Sequence, residues 1–453
     1  MGVGTLPAED RAGLTGWRDW YESRHVTAEE AIADVRSGDR VSFSYGREPL
    51  ELGMALVARA HELHDVTIFN PVPGRDFGWY EDWGHPFSIE YEMCVPVIRQ
   101  GVEERRFDQA VSSIFGASER PLGVGEADVF LVEVSTPDAH GFCSLGASVW
   151  DKRERIHGAR TVIASVNPKL VRTGGENYVH VGEIDWFVEH VPSGRQPASA
   201  DLLGRKPQDV PEYVQTIGEL VAGEVLRDGD TLEIGVGLTS ESVARSAAVR
   251  DRHDLGWHSE ATPRGVIRLV MDGVLTGARK TLHPGKAVCT SIGGGTKEEM
   301  DFVDRNPLFE LYPNRYATNP VVIAQNANMV AINSAVAVDL SGQVTAETLG
   351  RRQISTAGGQ TPFAHGALLS DGGRNVIVLP STAGEGASSR IMAEFPAGTT
   401  VTQTRTLADI VVTEHGIARL RGRTVRERAL ELVAISHPRF RDELRAAAEE
   451  LFW

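Results

Sequence analysis

Apolar and polar positions along the chain follow two periods, and the switch between them recurs. Helical spacing at Thr27–Arg36 runs through Ser37-Gly38-Asp39-Arg40 into a β-rich apolar run, Val41-Ser42-Phe43-Ser44-Tyr45-Gly46. The same order returns at Ile217–Leu226, followed by Asp228-Gly229-Asp230 and Thr231-Leu232-Glu233-Ile234-Gly235-Val236-Gly237. The two Gly-Asp pairs are offset by 191 residues, and the same offset carries Gly46 onto Gly237. Further strands are predicted at Val129–Ser135, Arg160–Val166, Leu255–Ser259, Lys286–Ile292, Asn375–Leu379 and Ile410–Thr413. Helices are predicted at Arg264–Met271, Lys297–Asp304, Val425–Ile435 and Arg441–Leu451. Strands alternating with helices give an α/β fold. The shared register favours two similar open α/β halves, 1–210 and 211–453, with the Pro/Gly/Ser-rich stretch Val191–Pro211 as the linker.

Composition narrows the class. The chain has 453 residues, 41% hydrophobic and 24% charged, which suits a folded protein with more than one core. Its 46 basic and 62 acidic residues leave a formal charge of −16, which argues against nucleic acid or an anionic membrane as partner. No apolar run is long enough to span a bilayer, and the first residues lack the pattern of a signal peptide. Cys94, Cys143 and Cys289 stand far apart with no CxxC pairing, so neither a disulfide framework nor a zinc site is expected, and the cytoplasm is the expected compartment.

Familiar signatures fail in turn. His283-Pro284-Gly285-Lys286 is followed by Ala287, so it is no phosphate loop, and Gly235-Val236-Gly237 lacks the third glycine of a dinucleotide fingerprint. His258-Ser259-Glu260 has no PCxxC partner, and His253 and His258 are poorly spaced for a metal; none is expected. Three glycine turns remain, at Gly235–Gly237, Gly293–Gly295 and Gly358-Gly359-Gln360. Each follows strand-like sequence, where backbone amides can approach a ligand. Each is also what an ordinary chain reversal looks like. Glu260 by itself reads equally as a solvated carboxylate, and Trp257 before it as a core side chain.

Longer strings decide more. Asp254-Leu255-Gly256-Trp257-His258-Ser259-Glu260, Lys280–Lys286, Ile323–Val330, Ile332–Ala335, Asp339–Val344, Val378–Thr382 and Val411–Ala418 appear in order. In the first half, Val134–Gly141 and Val181–Asp185 join them. Together they resemble the acetyl-CoA hydrolase/CoA-transferase family, which includes the 4-hydroxybutyrate and butyryl-type CoA-transferases, from about Thr27 to Leu444. The resemblance implies two CoA-transferase-type (NagB/RpiA/CoA-transferase-like) α/β domains, commonly in a homodimer. It implies no permanently bound cofactor; coenzyme A enters as the acyl-CoA substrate, and a carboxylic acid is the second partner. Two strings depart from the family. Ala261-Thr262-Pro263-Arg264-Gly265 stands where a Met-Phe-Ser-Asp-Gly-like string is usual, and Asn167–Arg172 replaces an Asn-x-x-Met-Pro-Arg string.

On this resemblance Glu260 is the nucleophile, ionised at neutral pH without an activating base. Backbone amides at Val236, Gly237 and the Gly358-Gly359 turn are the candidate oxyanion donors, and Gln360 is a candidate for placing the substrate. Lys286, Arg390 and the Gly293–Gly295 turn are candidates for the CoA phosphates. Arg264, four residues after the nucleophile, either reads a polar group on the acyl chain or is a solvated residue in the next helix. A transferase and an acyl-CoA hydrolase would use the same residues, water replacing the acceptor acid. A noncatalytic sensor on the same fold is the reading from a different class.

Overall fold

The computed structural model describes residues 16–45, 48–80, 85–116, 127–192, 209–293 and 295–453. The expected linker lies mostly outside these, as do Gly46 and Gly294. The chain forms two compact units. One holds the described residues of Met1–Ser113, Ala117–Arg205 and Gly293–Asn314, the other those of Ile114–Gly116, Lys206–Ile292 and Arg315–Trp453.

In the first unit a parallel sheet runs in the order Trp186–Glu189, Thr161–Val166, Val129–Val134, Arg40–Phe43, Thr67–Asn70, Ser88–Tyr91 and Asp108–Gln109. Strands Val129–Val134 and Thr161–Val166 are buried at every position, as continuous apolar runs in a two-face-covered parallel sheet should be. In the second unit the parallel strands run Ile410–Thr413, Arg374–Val378, Met329–Ser334, Thr231–Ile234, Gly256–Thr262 and Ala287–Ile292. An antiparallel strand, Gly416–Arg419, lies at the first edge. Numbered along the chain, six parallel strands of each unit follow the doubly wound order 3-2-1-4-5-6.

The repeated Gly-Asp turn is built the same way twice. Gly38 has φ 85° and Gly229 φ 81°, a left-handed conformation that glycine adopts without strain. Asp39 accepts the Arg36 amide at 2.8 Å, and Asp230 accepts the Arg227 amide at 2.7 Å. Each aspartate also receives an arginine, Arg160 in the first unit and Arg374 in the second.

Helix starts follow local chemistry. Thr27, Thr296 and Thr424 each close a capping box with a glutamate three residues on. The helix expected at Ile217–Leu226 instead spans Glu212–Leu220 and loosens into a π turn over Val221–Val225. Pro211 supplies the earlier start: it sits at the N-cap, where its missing N–H costs nothing. Strand Gly256–Thr262 runs past the expected Leu255–Ser259 and so carries Glu260 within it. Among the described residues no helix is long and apolar enough to cross a membrane.

Candidate active site

The site lies at the carboxyl edge of the second unit's sheet, where open α/β folds hold ligands and where the strand order reverses. Strand Thr231–Ile234 ends there in Gly235-Val236-Gly237, strand Met329–Ser334 in Ser334, and strand Gly256–Thr262 brings Glu260 to the same edge. Glu260 Oε2 accepts the Gly359 amide at 3.1 Å. That amide begins helix Gln360–Leu369, whose terminal N–H groups and dipole favour an anion.

The fit around the carboxylate requires glycine. A methyl group built on Gly359 would stand 2.8 Å from Glu260 Cδ and Oε2. Gly116 has φ 76°, and a Cβ there would lie 3.0 Å from both Glu260 Oε1 and Gly359 Cα. Thr318 Oγ1 donates to the Phe115 carbonyl and fixes this segment. Gly116 was not among the residues singled out from sequence, because it lies outside any strand-end glycine turn.

The other expected residues divide by position. Gly237 has φ 157° and ψ 150°, a region essentially reserved for glycine, and its amide donates to Glu241 Oε1 at 3.3 Å. Val236 beside it is 47% exposed. Gly358 has φ 51°. Gln360 is buried, and its Nε2 donates to the Ser334 carbonyl at 3.4 Å, tying the helix start to the strand end. Arg390 is half-buried and turns toward the main-chain carbonyls of Thr382, Ala335 and Val336. Arg264 is half-buried just before Gly265, which opens helix Val266–Met271.

Lys286 is not brought to Glu260. Trp257 pairs with Ala287, so Lys286 stands level with Gly256 at the amino end of the strands. That is about 13 Å along the strand from Glu260 at roughly 3.3 Å per residue. Gly293 and Gly295 belong to the first compact unit.

Beneath the site is a buried polar layer. Trp257 is 1% exposed, with Nε1 donating to Thr262 Oγ1 at 3.0 Å, which makes it a core residue. His258 is fully buried, and its Nε2 lies 2.8 Å from the Ala317 carbonyl. Burial, with the Lys280 charge adding, lowers its pKa to about 3, so it is neutral. Glu233 is 2% exposed and accepts the Asn333 side-chain amide at 2.8 Å. At the end of strand Ile410–Thr413, Glu414 accepts the Ser381 amide at 2.9 Å and its hydroxyl at 2.5 Å. Cys94, Cys143 and Cys289 are buried and form no disulfide.

Glu260 thus accepts a helix-terminal amide and has two adjoining glycines against its carboxylate, on a doubly wound α/β scaffold. Comparison with known proteins makes this specific. Residues 295–448 match the acetyl-CoA hydrolase/transferase C-terminal domain. The 4-hydroxybutyrate coenzyme A transferase of Clostridium kluyveri is 39% identical over 436 residues, covering 94% of this chain and 98% of that protein. Among solved structures, RipA from Yersinia pestis superposes with a TM-score of 0.87 at 31% identity, over 96% of this chain and 99% of that one. The 4-hydroxybutyrate CoA-transferase of Porphyromonas gingivalis gives 0.76 at 32% identity, over 96% and 100%. The chain belongs to the acetyl-CoA hydrolase/transferase family.

Proposed function

We propose that the protein is an acyl-CoA:carboxylate CoA-transferase that works through a glutamyl-CoA thioester on Glu260. The observation that carries this reading is the placement of Glu260 at the sheet's carboxyl edge with the Gly359 amide on its Oε2 at 3.1 Å.

A Glu260 oxygen attacks the acyl carbonyl, the C–S bond breaks, and CoA leaves as thiolate, giving an acyl-glutamyl anhydride. The thiolate then attacks the glutamyl carbonyl and expels the acyl group as a carboxylate, leaving glutamyl-CoA. An incoming carboxylate attacks that thioester and releases the thiolate. The thiolate finally takes the new acyl group and frees Glu260. Each stage carries one negative charge, and thioester energy is kept in anhydride and thioester, so the cycle consumes no ATP.

Two oxyanions need donors in this cycle. One forms on the acyl carbonyl and the other on the glutamyl carbonyl. The second uses a Glu260 oxygen itself, so the Gly359 N–H that holds the resting carboxylate is also the donor for that oxyanion. The amide of Val236, on its exposed turn, is the corresponding donor for the acyl carbonyl.

The test is a product assay with an acyl-CoA and a carboxylic acid acceptor. The expected result is formation of the acceptor's CoA ester with little free thiol, abolished in Glu260→Gln. Free thiol released at the same rate without any acceptor would make the protein a hydrolase. No turnover of any acyl-CoA would favour a binding role.

A further inference from the structure

The strand next to the one that carries Glu260 holds a second carboxylate, which the proposed cycle does not use. Leu232 pairs with Trp257, which sets Glu233 beside His258, and two residues further along that strand the Glu260 charge acts on the Glu233 carboxyl. On the other flank Glu233 pairs with Ala331, and Asn333, two residues further, reaches it with its side-chain amide at 2.8 Å. Helix Gln360–Leu369, the one that presents the Gly359 amide to Glu260, packs Phe363 and Ala367 against Ala331.

The groups shown to bear on Glu233 are the Glu260 charge from one strand and, from the other, the Asn333 side-chain amide and the Ile332 main chain, while His258 stands beside it in register. None of them is a cation, and His258 is neutral. The Asn333 amide and the Ile332 main chain do not offset the cost of burying a carboxylate, and a second negative charge beside Glu260 adds to that cost. Burial first, then the Glu260 charge, hold the Glu233 carboxyl well above the usual carboxylate range.

We infer that Glu233 is a positioning residue that keeps its proton while Glu260 is the anion, so that the two carboxyls carry a single negative charge. The inference rests on reading Glu260 as the nucleophile. A neutral Glu233 lets negative charge develop at the thioester carbonyl without opposition. An ionised Glu233 would repel both the approaching carboxylate chemistry and the oxyanion. The reaction then slows at alkaline pH, with a midpoint that belongs to the coupled pair.

The experiment compares kcat/KM against pH for the wild-type enzyme and Glu233→Gln, with the thermal midpoint measured at each pH. Gln retains an acceptor for Asn333 and has no proton to lose. The wild type should fall about tenfold per pH unit above its alkaline midpoint, the slope of a single ionisation, and the fall should be absent from Glu233→Gln. The wild-type-minus-variant infrared spectrum at pH 7 should contain a protonated-carboxyl band. A fall shared by both proteins, a wild-type profile flat to the limit of folding, or carboxylate bands in the difference spectrum would overturn the inference. If Glu233→Gln does not fold, Asn333→Ala should move the alkaline midpoint upward, because the lost donor favours the charged form; an unmoved midpoint is the contrary result. Borohydride trapping separates the two readings. An unlabelled Glu260 overturns the nucleophile assignment, while a labelled Glu260 with a shared alkaline fall overturns the role of Glu233 alone.

Discussion

At Gly359 the demands of backbone and site point in opposite directions. Its φ is −77°, so alanine fits the main chain, and Gly→Ala at such positions raises stability by about 0.4–1 kcal/mol through the unfolded chain. Its Cβ, however, would press on the Glu260 carboxylate at 2.8 Å. Gly359→Ala should therefore keep the wild-type thermal midpoint yet lose about 100- to 1000-fold in kcat, comparable to removing an oxyanion donor. Activity within tenfold of wild type would show that the Glu260–Gly359 contact is incidental. Glu260 and Gly359 were legible in the sequence through the strings around them. Glu233 was not, because Thr-Leu-Glu-Ile reads as a strand with one solvated carboxylate. Its burial is a tertiary property, and the Asn333 amide that meets it lies 100 residues away in sequence. The position of Lys286 level with Gly256, at the amino end of the strands, was not legible either, because a string match carries order along the chain but not strand register.

Among the elements, the duplicated turn was visible as a fixed offset, and its bonding confirms that the two turns are built alike. Their surroundings differ. Asp230 and Arg374 side chains are 2% and 10% exposed, whereas Asp39 and Arg160 are 11% and 34% exposed. Burial raises the Asp230 pKa and lowers that of Arg374 despite their mutual attraction, so the pair adds little net stability once its desolvation is counted. Breaking it is another matter, because one charge is left buried. Asp230→Asn should cost about 3–5 kcal/mol in chemical denaturation, and Asp39→Asn about 1 kcal/mol or less. Equal costs would mean that burial does not set the value of these pairs. Element types were legible from periodicity, and strands Val129–Val134 and Ile410–Thr413 and helix Val425–Ile435 fall almost where expected. The ends drifted where a proline or a π turn moved a helix.

For the whole molecule, acidic composition and the absence of metal or phosphate-loop signatures narrowed the chemistry without naming it. The doubly wound order places a ligand edge but leaves the reaction open, since the same order serves many activities. The family follows from relatives spanning nearly the full chain, and the reaction proposed here turns on one atom, the Glu260 carboxyl carbon. Intact-protein mass spectrometry after mixing with acetyl-, butyryl- or succinyl-CoA, then mild borohydride, addresses that atom directly. Reduction of a glutamyl-CoA thioester to the alcohol should lower the mass by about 14 Da, and peptide mapping should place the loss at Glu260. Turnover of an acyl-CoA without any modification of Glu260 would contradict the covalent route.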